Sequence, residues 1–566
     1  MVADLSETGE DRADWHARRW VLAALGALIG LAIHHIVTPD REGPWTDDAT
    51  RAALATFLGV SGIAFAFVVE RGRTLGSAAF ATIAGLVVAS VLYWSGDFTS
   101  WEPWRLVSAL LTVAIAAPLF QGWRDGGSQR WRIPYVETHN RAWTNVCLWF
   151  AACAFTGISF ALAWLLATLF NLIGIDALEE LLKKSWFGMM LAGAAFGGAT
   201  GLLRDRERIV AMIQKVVMLV LSVLAPVLAL GLVLFLAALP FTGLSALWET
   251  TKATTPILLS CVIGALILAN AVINDTPEDE SKLRVMRWSA MALGLTILPL
   301  GIIAAISTGL RIQQYGLTPE RLWAVTFTAI ACAYGLAYLV SIVRGREASW
   351  TSFVRPANLR LAVGLCALAF LLSTPLISFG AISTRNQLAR LESGRVSVDK
   401  FDFAALRFDF GPAGMKALKT LSNEGKTAEI RKAASTMLKS DNRYSAYEEK
   451  QKSETRDNIV TLPRGTALPE DLINSLSEYG ACRGQNPCNV LYRADDDEAI
   501  IVTRNGVKKL WKTKDGWQNT GYLNNSLSEK ETRDLNEAFA QGRVEIRNVE
   551  RRQVFVDGKA VGEAFE

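Results

Sequence analysis

Eleven apolar runs, 17 to 28 residues long and joined by short charged links, fill the sequence from Trp20 to Ala381. They lie at approximately 20–37, 52–69, 74–94, 105–121, 146–173, 187–203, 212–239, 256–274, 287–309, 321–343 and 359–381. A helix needs roughly 20 apolar residues to cross the hydrocarbon core. In lipid every backbone amide must find its partner within the protein, which leaves helices and closed barrels. The runs show no period-two alternation, so an all-α polytopic transmembrane bundle of about eleven helices follows.

From Ser383 onward the composition changes to that of a soluble domain, rich in Lys, Glu, Asp, Arg and Asn. The expected organisation is a tail (1–19), a transmembrane domain (20–382) and a small α+β soluble domain (383–566). In the last, apolar spacing near 3.6 predicts helices at Ala413–Leu421, Thr427–Lys439 and Ser445–Asp457, and Thr384–Glu392 extends the last span. Strands are expected at Asn489–Arg493, Ala499–Arg504 and Val507–Lys512, with a turn at Asn505-Gly506. A helix near Ser528–Gln541 precedes strands near Val544–Val549 and Arg552–Val556, with a further turn at Asp557-Gly558. The net charge of +4 is spread over both parts, without a basic run, so nucleic acid is not an expected partner.

Arg18 and Arg19 precede the first run as in a signal peptide, but no small-x-small site closes it, so it reads as an uncleaved span. Positive charge sets the orientation. With the tail inside, the tail and the even-numbered links hold about nineteen Lys and Arg, against about eight in the odd-numbered links. An odd number of spans then places the C-terminal domain outside.

Five of the seven cysteines fall within spans. Cys482 and Cys488 stand close together with Gly484 and Pro487 between them, which suits a disulfide in an oxidising compartment. A metal site is disfavoured, because the domain holds no other Cys and no His. Asp495, Asp496, Asp497 and Glu498 lack the glycine register of a calcium loop and read as a solvated turn. No phosphate loop, His-Glu-x-x-His or nucleophile elbow occurs. No catalytic residue, metal ligand or cofactor is therefore assigned.

Pro118, Pro226, Pro299 and Pro375 fall within spans, where they kink helices and sometimes mark transport sites. Ionisable groups deep in the spans are nearly absent, which weighs against a proton pump. Asn270 and Asn274 are candidate functional residues one turn apart on a helix. Ile175–Lys184 predicts a short interfacial amphipathic helix, with capping-box spacing between Asp176 and Glu179. Phe241–Thr255, with Leu244, Leu247 and Trp248, is a second candidate of that kind. His139 and Trp143 lie in the polar segment Pro134–Asn145 before the fifth span and are further candidates. For a lone histidine the commoner role is a hydrogen-bonded surface residue.

Three segments resemble DUF4153, a bacterial family of uncharacterised membrane proteins. They are Tyr135-Val-Glu-Thr-His-Asn-Arg-Ala-Trp-Thr-Asn145, Tyr315-Gly-Leu-Thr-Pro-Glu-Arg321, and Leu388–Gly394 running on to Lys400–Asp409. The resemblance implies a bacterial inner membrane, with the periplasm as the outside compartment, and carries no catalytic residues. Tyr315 and Arg321 complete the candidates. Thr318 is placed to N-cap the tenth span with Pro319 in its first turn. Arg321 there opposes the helix dipole and calls for a carboxylate or lipid phosphate. Three function classes stay open. The leading one is a transporter or channel-like permease with a periplasmic accessory domain. The others are a non-catalytic envelope sensor or scaffold, and a lipid-linked glycosyl- or acyltransferase using carboxylates such as Asp47 and Asp48. The expected partners are the lipid bilayer and a small molecule, lipid or envelope protein.

Overall fold

A computed structural model of the chain describes residues 17–38, 48–95, 103–126, 132–243, 253–440, 443, 458–478, 482, 487–493, 495, 497–503, 506–514, 516–519, 528–545, 552–556 and 559–565. Among these, eleven helices are long and apolar enough to cross a membrane, matching the eleven runs one for one. They are α1 (Arg18–Val37), α2 (Asp48–Val68), α3 (Thr74–Ser95), α4 (Pro103–Asp125), α5 (Tyr135–Asn171), α7 (Ser185–Asp205), α8 (Glu207–Thr242), α9 (Thr254–Ile273), α10 (Arg284–Tyr315) and the two arms of α11 (Pro319–Ser373). A short helix, α6 (Ala177–Lys183), lies between α5 and α7.

Several helices outrun their apolar stretches. α5 has 37 residues, about 55 Å of helix. Its first turns therefore carry the polar segment that the sequence placed in a link. The arms of α11, Pro319–Glu347 and Ser349–Ser373, fold back at Arg346, whose φ is 46°. Gly345 permits that turn, since a Cβ there would strike the Trp350 backbone. The last span ends at Ser373, and a separate helix, α12 (Phe379–Glu392), starts after Thr374 and Pro375, capped by Ser378. The expected extension of the last span through Thr384–Glu392 is thereby corrected. Pro375 lies in the break rather than within a span. Asp176 makes no capping hydrogen bond. Glu179 instead accepts from Asn171 and pairs with Lys183, which holds that exposed ammonium above its ordinary pKa. Residues 244–252 of the second amphipathic candidate lie outside the described residues.

The spans form two halves. In the first, α1 to α5 and α7 pack together; in the second, α8 to α11 enclose the largest apolar core, including Leu293, Ile297, Leu300 and Tyr338, all fully buried. Antiparallel α1 and α7 meet through glycine. A Cβ on Gly26 would strike the Gly193 carbonyl, one on Gly193 the Gly26 carbonyl, and one on Gly197 the Leu22 carbonyl. Small residues let helices approach closely in lipid, where packing replaces the hydrophobic drive. The halves join along α4 and α11, where the Cys366 thiol donates to the Thr112 carbonyl at 3.6 Å.

Two compact units divide the chain at Ala434/Ser435. The first runs past the composition shift at Ser383 and takes in α12, α13 (Phe403–Phe408), α14 (Gly411–Glu424) and the start of α15 (Ala428–Lys439). The second holds a sheet ordered β1 (Ile459–Leu462), β2 (Cys488–Arg493), β3 (Glu498–Thr503), β4 (Gly506–Thr513) and β5 (Gly516–Asn519). The pair β1–β2 is parallel and the other pairs are antiparallel. Inward-facing Val490, Tyr492, Ala499, Ile501, Leu510 and Trp517 pack with Leu472 and Leu476 of α16 (Glu470–Glu478). Ser528 caps α17 (Glu529–Gln541) in a full capping box with Glu531. A hairpin, β6 (Arg552–Val556) and β7 (Lys559–Phe565), completes the unit. The two-residue connection 504–505 between β3 and β4, the expected helix over 445–457 and the turn at 557–558 lie outside the described residues. Val544 and Glu545, where a strand was expected, are irregular.

Candidate functional site

On a 3.6-residue helix the segment 135–145 sorts into three adjacent i, i+4 stripes. Tyr135, His139 and Trp143 form the first, and their rings follow one another at 5.4 and 6.5 Å. Asn140 and Thr144 form the second. Glu137, Arg141 and Asn145 form the third. Because this segment opens α5, the stripes project toward different neighbours at one end of the bundle.

The third stripe faces the first half. Arg141 donates to Glu137 at 2.9 Å and to Asp125 at 3.1 Å. Asp125 also meets Arg124 and Arg73, and Glu70 meets Arg124 and Arg204. Asn145 donates to Gln121 at 2.9 Å, and Gln121 donates to the Phe67 carbonyl. Thus the ends of α2, α4, α5 and α7 are tied by a network in which each buried charge has an opposite partner. Removing one partner from such a network exposes the other to the full cost of burial.

The second stripe crosses to the other half. Asn140 donates to Asp275 at 2.6 Å, and Asp275 is buried just after α9. Gln214 of α8 donates to Asn140 at 3.4 Å and accepts from Thr144 at 3.1 Å. Behind Asp275 the second half has its own polar base. Asn358 donates to Asn270 at 2.7 Å, and Asn270 donates to the hydroxyl of fully buried Tyr338 at 2.8 Å. Arg355 donates to the carbonyls of Ile273 and Thr276 and to Glu280. Glu280 also pairs with Arg287. The carbonyls that end α9 are therefore closed by a guanidinium, an orphaned helix end satisfied from a distant segment.

The described residues of the six segments that the arginine count assigned to one side, the tail and the even-numbered links, meet at this end. Arg18 pairs with Asp205 there. The opposite end carries an aromatic seam between the halves. Trp104 of α4 packs against Trp323 and Phe327 of α11, and Trp323 against Phe379 of α12.

The sequence candidates divide between the two ends. His139 and Asn270 both enter the polar end. Tyr135 and His139 share a hydrogen bond of 3.1 Å, and the buried Nε2 of His139 has no hydrogen-bond partner among the described residues. Trp143 follows His139 on the same helix, its ring tilted by 51°. Asn274 leaves the face of Asn270, because it ends α9 with φ of 54° and donates to the Asp279 carbonyl. Tyr315 and Arg321 sit at the far end. Thr318 caps the α11 helix through the Arg321 amide, with Pro319 in the first turn. Arg321 has a partner within the bundle. It donates to the Gly316 carbonyl at 2.7 Å, closing the end of α10, and lies 5.3 Å from the Tyr315 ring. Asn386 accepts from the Leu317 amide, and Gln387 donates to the carbonyls of Tyr315 and Leu317. Arg390 donates to the Gln314 carbonyl. Cys482 and Cys488 form a disulfide. Among the described residues no group of three His, Cys, Asp or Glu side chains is placed to hold a metal ion.

The sequence model of DUF4153, described as a domain of unknown function, matches residues 54–421. The chain belongs to the DUF4153 family. The matched region of this DUF4153 protein runs from α2 into α14 and stops short of the unit that begins at Ser435. It contains both ends of the bundle just described. No curated protein matches the chain, and no solved structure does. In this DUF4153 protein, sequence reasoning missed Asn140, Gln214, Asp275, Tyr338, Arg355 and Asn358 as site residues. The available signal was an aspartate directly after an apolar run that already held Asn270 and Asn274.

Proposed function

We propose that this DUF4153 protein is a permease of the bacterial inner membrane whose two helical halves move against each other. The observation that carries this reading is the seam between the halves. It is polar at one end, through Asn140–Asp275 and Thr144–Gln214, and aromatic at the other, through Trp104–Trp323. Alternating access needs two closures that open in turn, and rocking of two bundles about a shared seam is its common form. A polar closure over a buried carboxylate can be wetted and remade, whereas an apolar core cannot.

We place the tail and the polar end in the cytoplasm and the disulfide-bearing unit in the periplasm. The excess of arginine at the polar end and the Cys482–Cys488 disulfide support this orientation. The substrate is a solute or lipid that crosses between the halves.

Locking the polar closure tests the proposal. The pair Thr144→Cys and Gln214→Cys, oxidised in proteoliposomes, should stop uptake of whichever members of a solute and lipid panel the unmodified protein moves. Reduction should restore it. Undiminished flux through the locked protein, or a panel with no transported member, would sink the permease reading.

A further inference from the structure

Between α1, α2 and α7 lies an open apolar groove of about 330 Å³, whose lining includes neither Asn140 nor Asp275. Its floor is shaped by missing side chains, with Gly26, Gly30, Gly59, Gly62, Gly193 and Gly197 along it. The glycines have two different reasons. Gly26, Gly30, Gly193 and Gly197 are required by the α1–α7 approach, since a Cβ on any of them would meet backbone of the other helix. Gly59 is not. A Cβ there would meet only the Ile33 Cδ1 atom at 3.7 Å, an ordinary contact. Helix packing leaves Gly59 free to carry a side chain, and the space it leaves open is part of the groove.

The groove runs from Leu22 to Ile33 along α1, about 17 Å of helix. That is the reach of one extended acyl chain within one leaflet and part of the next. Its Leu22 end adjoins the start of α1, where Arg18 and Arg19 stand beside Gly201 of α7. Arg18 faces Asp205 at 3.7 Å. Arg19 lies 5.7 Å from the Trp20 ring, and its buried Nε has no hydrogen-bond partner among the described residues. Arg206 follows Asp205 and is exposed. An interfacial guanidinium beside an apolar channel offers charge-assisted hydrogen bonds to a phosphate whose chain continues into the channel.

We infer that this groove is a binding site for one anionic phospholipid, with an acyl chain against Gly59 and the phosphate at Arg19. The charge at the Arg19 end selects a headgroup, and the glycine floor admits the chain. The site does not depend on transport, so it stands apart from the permease reading.

The test uses the full chain in nanodiscs of phosphatidylethanolamine with phosphatidylglycerol, extracted in detergent, with bound lipid counted by native mass spectrometry. The unmodified protein should retain one phosphatidylglycerol through washing. Gly59→Leu puts a side chain into the groove from a position whose Cβ meets only the Ile33 Cδ1 atom, and should lower retention by roughly tenfold. Arg19→Gln should keep the chain but lose the preference for phosphatidylglycerol over phosphatidylethanolamine. Equal retention by a Gly59→Leu protein with unchanged thermal unfolding and elution overturns the site. So does an unchanged headgroup preference in Arg19→Gln, or a dimer that buries the groove in place of lipid.

Discussion

Asn140 on α5 and Asp275 beyond α9 are 135 residues apart and share a hydrogen bond of 2.6 Å that joins one half of the bundle to the other. Its two ends are not equivalent. Truncating Asp275 leaves a neutral amide short of an acceptor, which costs about 1–3 kcal/mol when buried. Truncating Asn140 leaves a buried carboxylate short of a donor, and the cost for a charged group is larger. Asn140→Ala should therefore destabilise the detergent-solubilised protein more than Asp275→Ala. The double variant should fall short of the sum, since the second change removes a partner already lost. Thermal unfolding of all four proteins checks this, and strict additivity would mean the bond couples nothing.

The α1–α7 contact predicts a sharp contrast between glycines. Gly193→Ala places a methyl group on the Gly26 carbonyl, so the helices must separate. Overpacking of this kind costs about 1–3 kcal/mol. Gly157 on α5 has nothing within 4 Å of its Cβ position. Gly157→Ala should be neutral or stabilising by up to about 1 kcal/mol. Equal unfolding temperatures for the two variants would contradict the close approach.

The bundle was legible because hydropathy reports burial in lipid directly, run by run. Even the parity of the links was readable, since the arginine-rich ones meet at one end. What hydropathy cannot report is where a helix continues past its apolar stretch. Glu137, His139 and Arg141 looked like link residues because charge ended the run, yet they occupy the first turns of α5. The partners of that segment, Gln214 and Asp275, lie far along the chain and have no local pattern to announce them. Arg321 has a partner that its own helix does not announce. Judged on its own helix it opposes the dipole, but its guanidinium serves the C-terminus of α10 instead. The glycine packing had a visible signal in the spacing of Gly193, Gly197 and Gly201, the small-xxx-small pattern of membrane helices.

At the far end of the bundle, Gly316 has φ of 76° and lies under the side chains of Asn386, Gln387 and Arg390. An alanine there meets a left-handed penalty of about 1–2 kcal/mol. It also pushes on the side chains that hold α12 against the turn after α10. Gly316→Ala should raise amide exchange throughout Phe379–Glu392 while leaving the polar end protected. Exchange confined to residues next to position 316 would show that α12 is held by other means.

In the second unit, Lys512 of β4 and Asp471 of α16 pair at 2.7 Å. The lysine holds the Asp471 carboxyl below its ordinary value, chiefly through this hydrogen bond. A carboxylate with a lowered folded-state pKa contributes stability above its unfolded value of about 3.9. That contribution is lost as pH falls through the folded value. The pair is exposed, so the effect is small. Amide exchange of β4 and β5, corrected for intrinsic rates, should rise as pH falls below that range in the native chain. In Asp471→Asn the same segments should show no such step.

Sidedness rests on chemistry that a membrane-impermeant maleimide can read. If the unit beyond Ser435 is periplasmic, Cys482 and Cys488 meet an oxidising compartment and stay paired. Intact cells should then label at these positions only after reduction, and Cys482→Ser should free Cys488 for labelling without reductant. Cys488 is buried and Cys482 nearly so, so the reductant step needs mild denaturant outside the cell, with a buried span cysteine such as Cys147 as the unlabelled control. Labelling that appears only after the inner membrane is opened would put the unit in the cytoplasm. The polar clamp would then face the periplasm, and the arginine-rich links would sit on the side that positive charge normally avoids.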